Sequence, residues 1–149
     1  MAIRKIRIVN DEILRKKSKK VDKVNKRIQI LLDDMAETMY AADGVGLAGP
    51  QVGVLRRVIV LDAGEGIIKL VNPEIISSSG EQTDVEGCLS IPDVRGEVKR
   101  PQSVVVKALN EKGESIQING SALLARVLCH EIDHLDGILF TDKTIRIVE

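Results

Sequence analysis

The sequence predicts an α+β fold, and three observations carry that prediction. Between residues 24 and 42 the apolar side chains Val24, Ile28, Leu31, Leu32, Met35 and Met39 recur at steps of three and four, one face of an amphipathic helix. Short β-branched runs follow at 57–61, 67–71, 103–109 and 115–118, each bounded by turn residues. Residues 121–135 then read as helix again, with apolar side chains on more than one face, so this second helix is expected to be largely buried. Strands grouped together with few helices argue for antiparallel hairpins rather than the regular alternation of a doubly wound sheet.

In chain order, Gly44 is the expected stop of the first helix. The stretch from Gly44 to Gly53 places four glycines in ten residues, a backbone that must bend or approach something closely. The turns between strands are expected at Asp62-Ala63-Gly64-Glu65-Gly66, at Asn72-Pro73 and at Glu111-Lys112-Gly113-Glu114. Ser121 is the expected N-cap of the second helix, and Gly137 follows its end.

With 149 residues, the chain has the length of one domain, expected to span 1–149. The 22 basic residues balance 22 acidic ones, so no global field recruits DNA or a membrane. Tyr40 and Phe140 are its aromatic residues, too few for a stacking platform on single-stranded nucleic acid. Apolar runs such as 58–61 are too short to span a bilayer, and the charged start shows no secretory h-region. A cytoplasmic protein is expected, in a compartment where Cys88 and Cys129 stay reduced. Residues 15–27 hold eight basic side chains relieved by Asp22; they form either a solvated face or a contact with something anionic, such as ribosomal RNA.

Chemistry concentrates on the second helix. His130-Glu131-Ile132-Asp133-His134 is HExxH. On a helix, positions four apart differ by about 40° around the axis and about 6 Å along it, so His130 and His134 can grip one ion from the same side. Glu131 lies about 100° from His130 and reaches a water on that ion before the ion itself. A catalytic site with an open position wants a third protein ligand. Position 140, where one hydrolase pattern would have a third histidine, is Phe140; the downstream acids Asp136, Asp142 and Glu149 lie on no evident returning helix, so the ligand comes from upstream. Cys129 points about 100° away from His130 and cannot share an ion with both histidines. Cys88, in Glu86-Gly87-Cys88-Leu89-Ser90, is the candidate: Gly87 allows a sharp turn and Leu89 offers a free amide. One thiolate and two imidazoles suit Fe²⁺, Zn²⁺, Ni²⁺ or Co²⁺.

Three segments together resemble the peptide deformylase family: Gly44-Val45-Gly46-Leu47-Ala48-Gly49-Pro50-Gln51, Glu86 to Ser90, and Cys129 to His134. The similarity runs over nearly the whole chain. Gly49 stands where the family usually has a second alanine, and Cys129 where it often has glutamine. The resemblance implies antiparallel sheets packed around the HExDH helix, and a substrate that is the formyl-methionyl end of a nascent polypeptide, with formate as product. It implies Cys88, His130 and His134 as metal ligands, Fe²⁺ as the ion in the cell, Glu131 as general base then acid, and Gln51 with the Leu89 amide as oxyanion donors. The backbone of Gly44, Val45 and Gly46 is expected to pair with the peptide as an added strand, and Arg95 to contact it. Leu123 and Val127, with Val45, are expected to form an apolar pocket for the methionine. Glu86, Asp133 and Arg100 are expected to support the ligands from behind. A transient ribosome contact is also implied. Two rival readings are a zinc peptidase, which the lack of a third histidine disfavours, and an inactive metal-binding module, which has no need of Glu131.

Overall fold

The structure is a computed structural model that describes residues 2–148; Glu149, weighed above as a ligand, lies outside them. Helix α1 (Lys26–Ala41) starts where the Asn25 side chain accepts the Ile28 N–H at 3.1 Å, so Val24 precedes the helix instead of opening it. Its end falls before Gly44: Ala42 is the cap, Asp43 takes a left-handed φ of 57°, and the Gly44 N–H returns to the Met39 carbonyl at 2.9 Å.

Strands β1 (Gly46–Ala48), β2 (Val58–Leu61), β3 (Ile68–Ser79), β6 (Ser103–Leu109) and β7 (Ser115–Ser121) form an antiparallel sheet in the order β1-β2-β3-β6-β7. Strands β4 (Gln82–Cys88), β5 (Ile91–Arg100) and β8 (Thr144–Val148) form a second, in the order β4-β5-β8. The expected turn at Asn72-Pro73 is not a turn. It is an irregularity inside the long β3, where pairing with β6 shifts register between Val71 and Glu74 and Asn72 adopts φ 52°. The Asn72 carboxamide fixes the passing chain there, accepting from Val21 N at 2.8 Å and donating to Val21 O at 2.9 Å.

All four residues of β2 are buried because both faces are covered. Ile59 and Leu61 join Leu70, Val104 and Val106 against the second helix, while Val58 and Val60 pack with Leu31, Leu32, Met35 and Met39 of α1. A strand covered on both sides reads as a continuous apolar run, as Val-Ile-Val-Leu does. That second helix, α2 (Leu123–Leu135), lies between the sheets, as the expected fold requires. Its start differs from expectation. Ser121 is the last residue of β7, and Ala122 is the N-cap at φ 54°, ψ −124°, with no side-chain cap bond. Gly137 does follow its end, at φ 73°. A third cluster, Leu14, Ile91, Val98, Leu139 and Phe140, seals the far side.

Candidate active site

Helix α2 sets the spacing of His130 and His134, and the β4–β5 hairpin brings Cys88 to them. Cys88 pairs with Ile91 across a two-residue turn of Leu89 and Ser90, so the thiol sits at the tip of a tight hairpin aimed at the helix. Donor atoms of Cys88, His130 and His134 all lie within 4.8 Å of one another, and Cys88 Sγ is 3.3 Å from His134 Nε2. A tetrahedral ion with bonds near 2.0 to 2.3 Å spans ligand edges of about 3.5 Å. The three donors therefore fit one divalent ion of that size. Cys129, by contrast, is buried in the core cluster between α2 and the five-stranded sheet, where burial raises its thiol pKa, and it stands apart from the donor group.

The two imidazoles are supported unequally. His130 Nδ1 meets Glu86 Oε1 at 3.0 Å, which leaves Nε2 for a metal. Arg100 grips both Glu86 oxygens, at 3.0 and 2.9 Å, and reaches Asp133 Oδ2 at 2.7 Å. Asp133 thus acts through Arg100, and Lys143 Nζ joins it at 3.0 Å. His134 Nδ1 is buried with no hydrogen-bond partner among the described residues. Burial works against the Glu86 charge, yet His130 and Arg100 outweigh it and hold the carboxyl at about 2. Burial likewise opposes charge on His130, but Glu131, Cys88 and Glu86 around it raise it to about 10. His134 is lowered, by burial first and then by the charges of His130 and Arg100.

A cleft of about 500 Å³ opens beside these donors. Of the residues expected to hold the ion, catalyse or touch the peptide, Glu131, Gln51, Leu89, Cys88, His130, Gly44, Val45, Gly46, Arg95, Leu123 and Val127 line it and His134 does not; of the expected supports, Glu86 lines it and Arg100 and Asp133 do not. Glu131 is 4% exposed, its Oε1 has no partner among the described residues, and burial raises its carboxyl to about 7. Gly46 makes room for it, since a Cβ there would stand 2.5 Å from Glu131 Oε2. Gln51 is clamped at both ends of its amide. Its Oε1 accepts from Ala48 N at 2.9 Å, and its Nε2 donates to Ser90 Oγ at 3.0 Å while lying 3.6 Å from Cys88 Sγ. Val45 and Leu123 are exposed at the mouth, at 49% and 39%. β1 is an edge strand, paired with β2 on one side and open on the other.

Sequence reasoning missed Ser90, although it stands in the same five-residue motif as Cys88 and is fully buried against Gln51. It also missed Arg126, which lines the cleft and pairs with Asp84 at 3.4 Å. Its position one turn before His130 was the available signal. Gly49 has a local reason: a Cβ there would meet the Arg56 and Val54 carbonyl oxygens at 2.7 Å.

The model of the polypeptide deformylase family matches residues 3–148. A peptide deformylase from Acetivibrio thermocellus is 68% identical over 149 residues, covering 100% of this chain and 88% of that protein. One from Alkaliphilus metalliredigens is 64% identical over 146 residues, covering 98% and 99%. Among solved structures, peptide deformylase from Thermotoga maritima superposes with a TM-score of 0.95 at 39% identity, covering 98% of this chain and 100% of that one. The Ehrlichia chaffeensis enzyme in complex with actinonin gives 0.95 at 38% identity, covering 98% and 91%.

Proposed function

The chain belongs to the polypeptide deformylase family, whose members remove the N-formyl group from nascent peptides, and from that premise we propose how its own residues carry the reaction. Cys88, His130 and His134 hold one divalent ion. When bound, that ion would supply a Lewis acid that lowers the pKa of the attacking water. The Glu131 carboxylate takes a proton from the attacking water as oxygen bonds to the formyl carbon. The carbonyl becomes a tetrahedral oxyanion, which accepts from the Gln51 amide and the Leu89 N–H. Glu131 then returns its proton to the amine nitrogen as the carbon–nitrogen bond breaks, leaving formate and a free amino terminus. The carrying observation is the convergence of the three donors on one point beside a cleft whose wall holds a buried carboxyl, Glu131, with an unpartnered oxygen.

The open edge of β1 supports peptide binding as an added strand along Gly44, Val45 and Gly46. Val45, Leu123 and Val127 offer an apolar wall to the methionine side chain, and Arg95 stands beside the path of the following residues. Fe²⁺ is the ion proposed for the cell, with Zn²⁺, Ni²⁺ and Co²⁺ accepted by the same donors. We read residues 1–149 as one catalytic domain working in the cytoplasm, in transient contact with the ribosome. Among the described residues, no helix is long and apolar enough to cross a membrane.

Formate release from formyl-Met-Ala-Ser, measured beside metal content, checks this reading. Glu131→Gln is expected to keep the metal and to lower turnover by about 10²- to 10⁴-fold. Cys88→Ala is expected to lose metal where Cys129→Ala keeps it. Full turnover by Glu131→Gln, or a swapped outcome for the cysteines, would overturn the assignment.

A further inference from the structure

The charge of this molecule is balanced overall but segregated in space. Residues 16–27 carry seven basic side chains against one carboxylate, Asp22. All seven are exposed, and none pairs with a carboxylate among the described residues. The fold adds to them. Lys19 bridges in parallel to Arg56, which is exposed and has no acidic partner among the described residues, and Lys20 and Lys107 both line a groove of about 220 Å³ whose wall also holds Glu74, Asn72 and Ser115.

The strip is firmly seated. Ser18 N–H donates to the Leu135 carbonyl at 2.8 Å, Arg57 N–H to Lys19 O at 2.9 Å, and Val21 is held on β3 by Asn72. It therefore crosses the C-terminal end of α2, whereas the cleft mouth lies at the other end, by Leu123. The thirteen residues of α2 separate the two ends by about 20 Å. A partner on the strip leaves the cleft uncovered.

We propose that this strip is a docking surface for structured RNA, held through the phosphate backbone. Seven exposed cations within twelve residues complement a phosphate backbone in charge and would release its counterions. The stretch has no exposed large apolar side chain to enter a lipid surface, since Val21 is 7% exposed and Val24 half-buried. Nor has it an aromatic ring on which an unpaired base could stack, so contact with a folded RNA through its backbone is favoured over single-stranded readout. The proposal leans on the deformylase reading in one respect: a nascent chain is presented beside RNA, and a contact remote from the cleft keeps the enzyme near it.

The experiment is fluorescence anisotropy of the metal-loaded protein with a fluorescein-labelled RNA hairpin between about 50 and 200 mM salt. Binding is expected to weaken steeply with salt. The triple variant K16E/K19E/K23E is expected to lose at least about tenfold in affinity and to show a salt slope shallower by about three, while K99E, on β5, binds as the wild type does. Turnover of formyl-Met-Ala-Ser by the triple variant is expected to equal that of wild type. No binding of the hairpin at low salt, equal binding by the triple variant, or displacement of the hairpin by phosphatidylglycerol vesicles would overturn the proposal. Absent turnover with intact hairpin binding would instead overturn the deformylase reading alone.

Discussion

The two sheets are held by different forces, and the candidate site lies on the seam between them. In the five-stranded sheet, cohesion is apolar: Val58 to Leu61 are fully buried, and Leu70, Val104 and Val106 join them against the helices. The three-stranded sheet buries little. β4 has one buried residue, Glu86; β8 has none; and β5 buries Ile91, Gly96, Val98 and Arg100. Two of those buried side chains are charged, and they grip each other and the helix through the Arg100 fork to Glu86 and Asp133. One sheet is thus fastened by area, which tolerates partial loss, and the other by a network that works only when complete. The second is the sheet that delivers the thiol.

Breaking each fastening should separate the two. Arg100→Met leaves Glu86 and Asp133 buried without their cation and is expected to cost about 3 to 5 kcal/mol. In molecules that remain folded it should also weaken metal retention by about 10- to 100-fold, because Glu86 no longer orients His130. Leu70→Ala is expected to cost about 2 to 5 kcal/mol through the cavity it leaves in the other sheet, with metal affinity of the folded fraction unchanged. Urea unfolding and chelator competition on both variants check this; equal weakening of metal binding would erase the distinction.

The same contrast explains what could be read in advance. Four strands of the five-stranded sheet were legible because Val-Ile-Val-Leu at 58–61 and the alternation at 103–109 are direct imprints of burial, whereas the three-residue β1, inside the glycine-rich segment, was not. β4, β5 and β8 were not legible either, because most of their residues face solvent or are half-buried, and the buried positions include the charged Glu86 and Arg100, which break the apolar alternation. β3 was read only to Val71, since Asn72-Pro73 carries turn chemistry that here forms a bulge. The metal donors were legible for another reason: HExxH encodes its own geometry in the helical period, and a short hairpin brings the Cys88 motif to it. Ser90 and Arg126 were not, because their roles depend on which neighbours the fold supplies.

The cleft wall built by the five-stranded sheet can be disturbed without touching the network. Gly46→Ala would place its Cβ against the Glu131 carboxylate, at 2.5 Å from Oε2 and 2.9 Å from Cδ. Displacing a reacting group by about 1 Å is worth about 10²-fold in rate, or about 2.7 kcal/mol. Turnover should fall by about that factor with little change in Tm. At Gly44 the added Cβ would meet the Leu89 side chain, at 2.6 Å from Cδ1, which is free to move, so Gly44→Ala should be the milder variant. Comparing kcat/KM of the two on formyl-Met-Ala-Ser sharpens the assignment of Glu131; a reversed order would count against it.

Where β7 of the apolar sheet hands over to α2, the chain holds a strained residue. Ala122 adopts φ 54°, ψ −124°, a conformation that glycine occupies freely and alanine does not. Relief of that strain, less the extra backbone entropy of glycine, should make Ala122→Gly more stable by about 1 kcal/mol, a rise in Tm of about 3 °C. Differential scanning calorimetry of the metal-loaded variant checks this. A lower Tm would mean that the Ala122 methyl contributes packing that outweighs the strain.

The smallest expected effects come from the ion pairs on the outer flanks of the two sheets. On the side of α1, Asp34 accepts from Ala2 N at 2.8 Å and pairs with Arg4 at 2.9 Å. On the side of β8, Asp142 pairs with Arg15. Burial would raise the Asp34 carboxyl, but the Ala2 amide and Arg4 outweigh it, and its pKa falls below the ordinary 3.8; the Arg15 bond lowers Asp142 likewise. A carboxyl depressed on folding stabilises above its unfolded pKa and loses that contribution as pH falls through the folded value. Each Asp→Asn change should therefore lower stability near neutral pH, and its difference from wild type should shrink as the pH drops below 3.8. Asp34→Asn should do more than Asp142→Asn, because the Asp34 side chain is 7% exposed and the Asp142 side chain 37%, where water screens the pair. Urea midpoints of both variants at about pH 7 and about pH 3 would show it; a larger loss from Asp142→Asn would mean that the charged flank of the small sheet bears more of the stability than its burial allows.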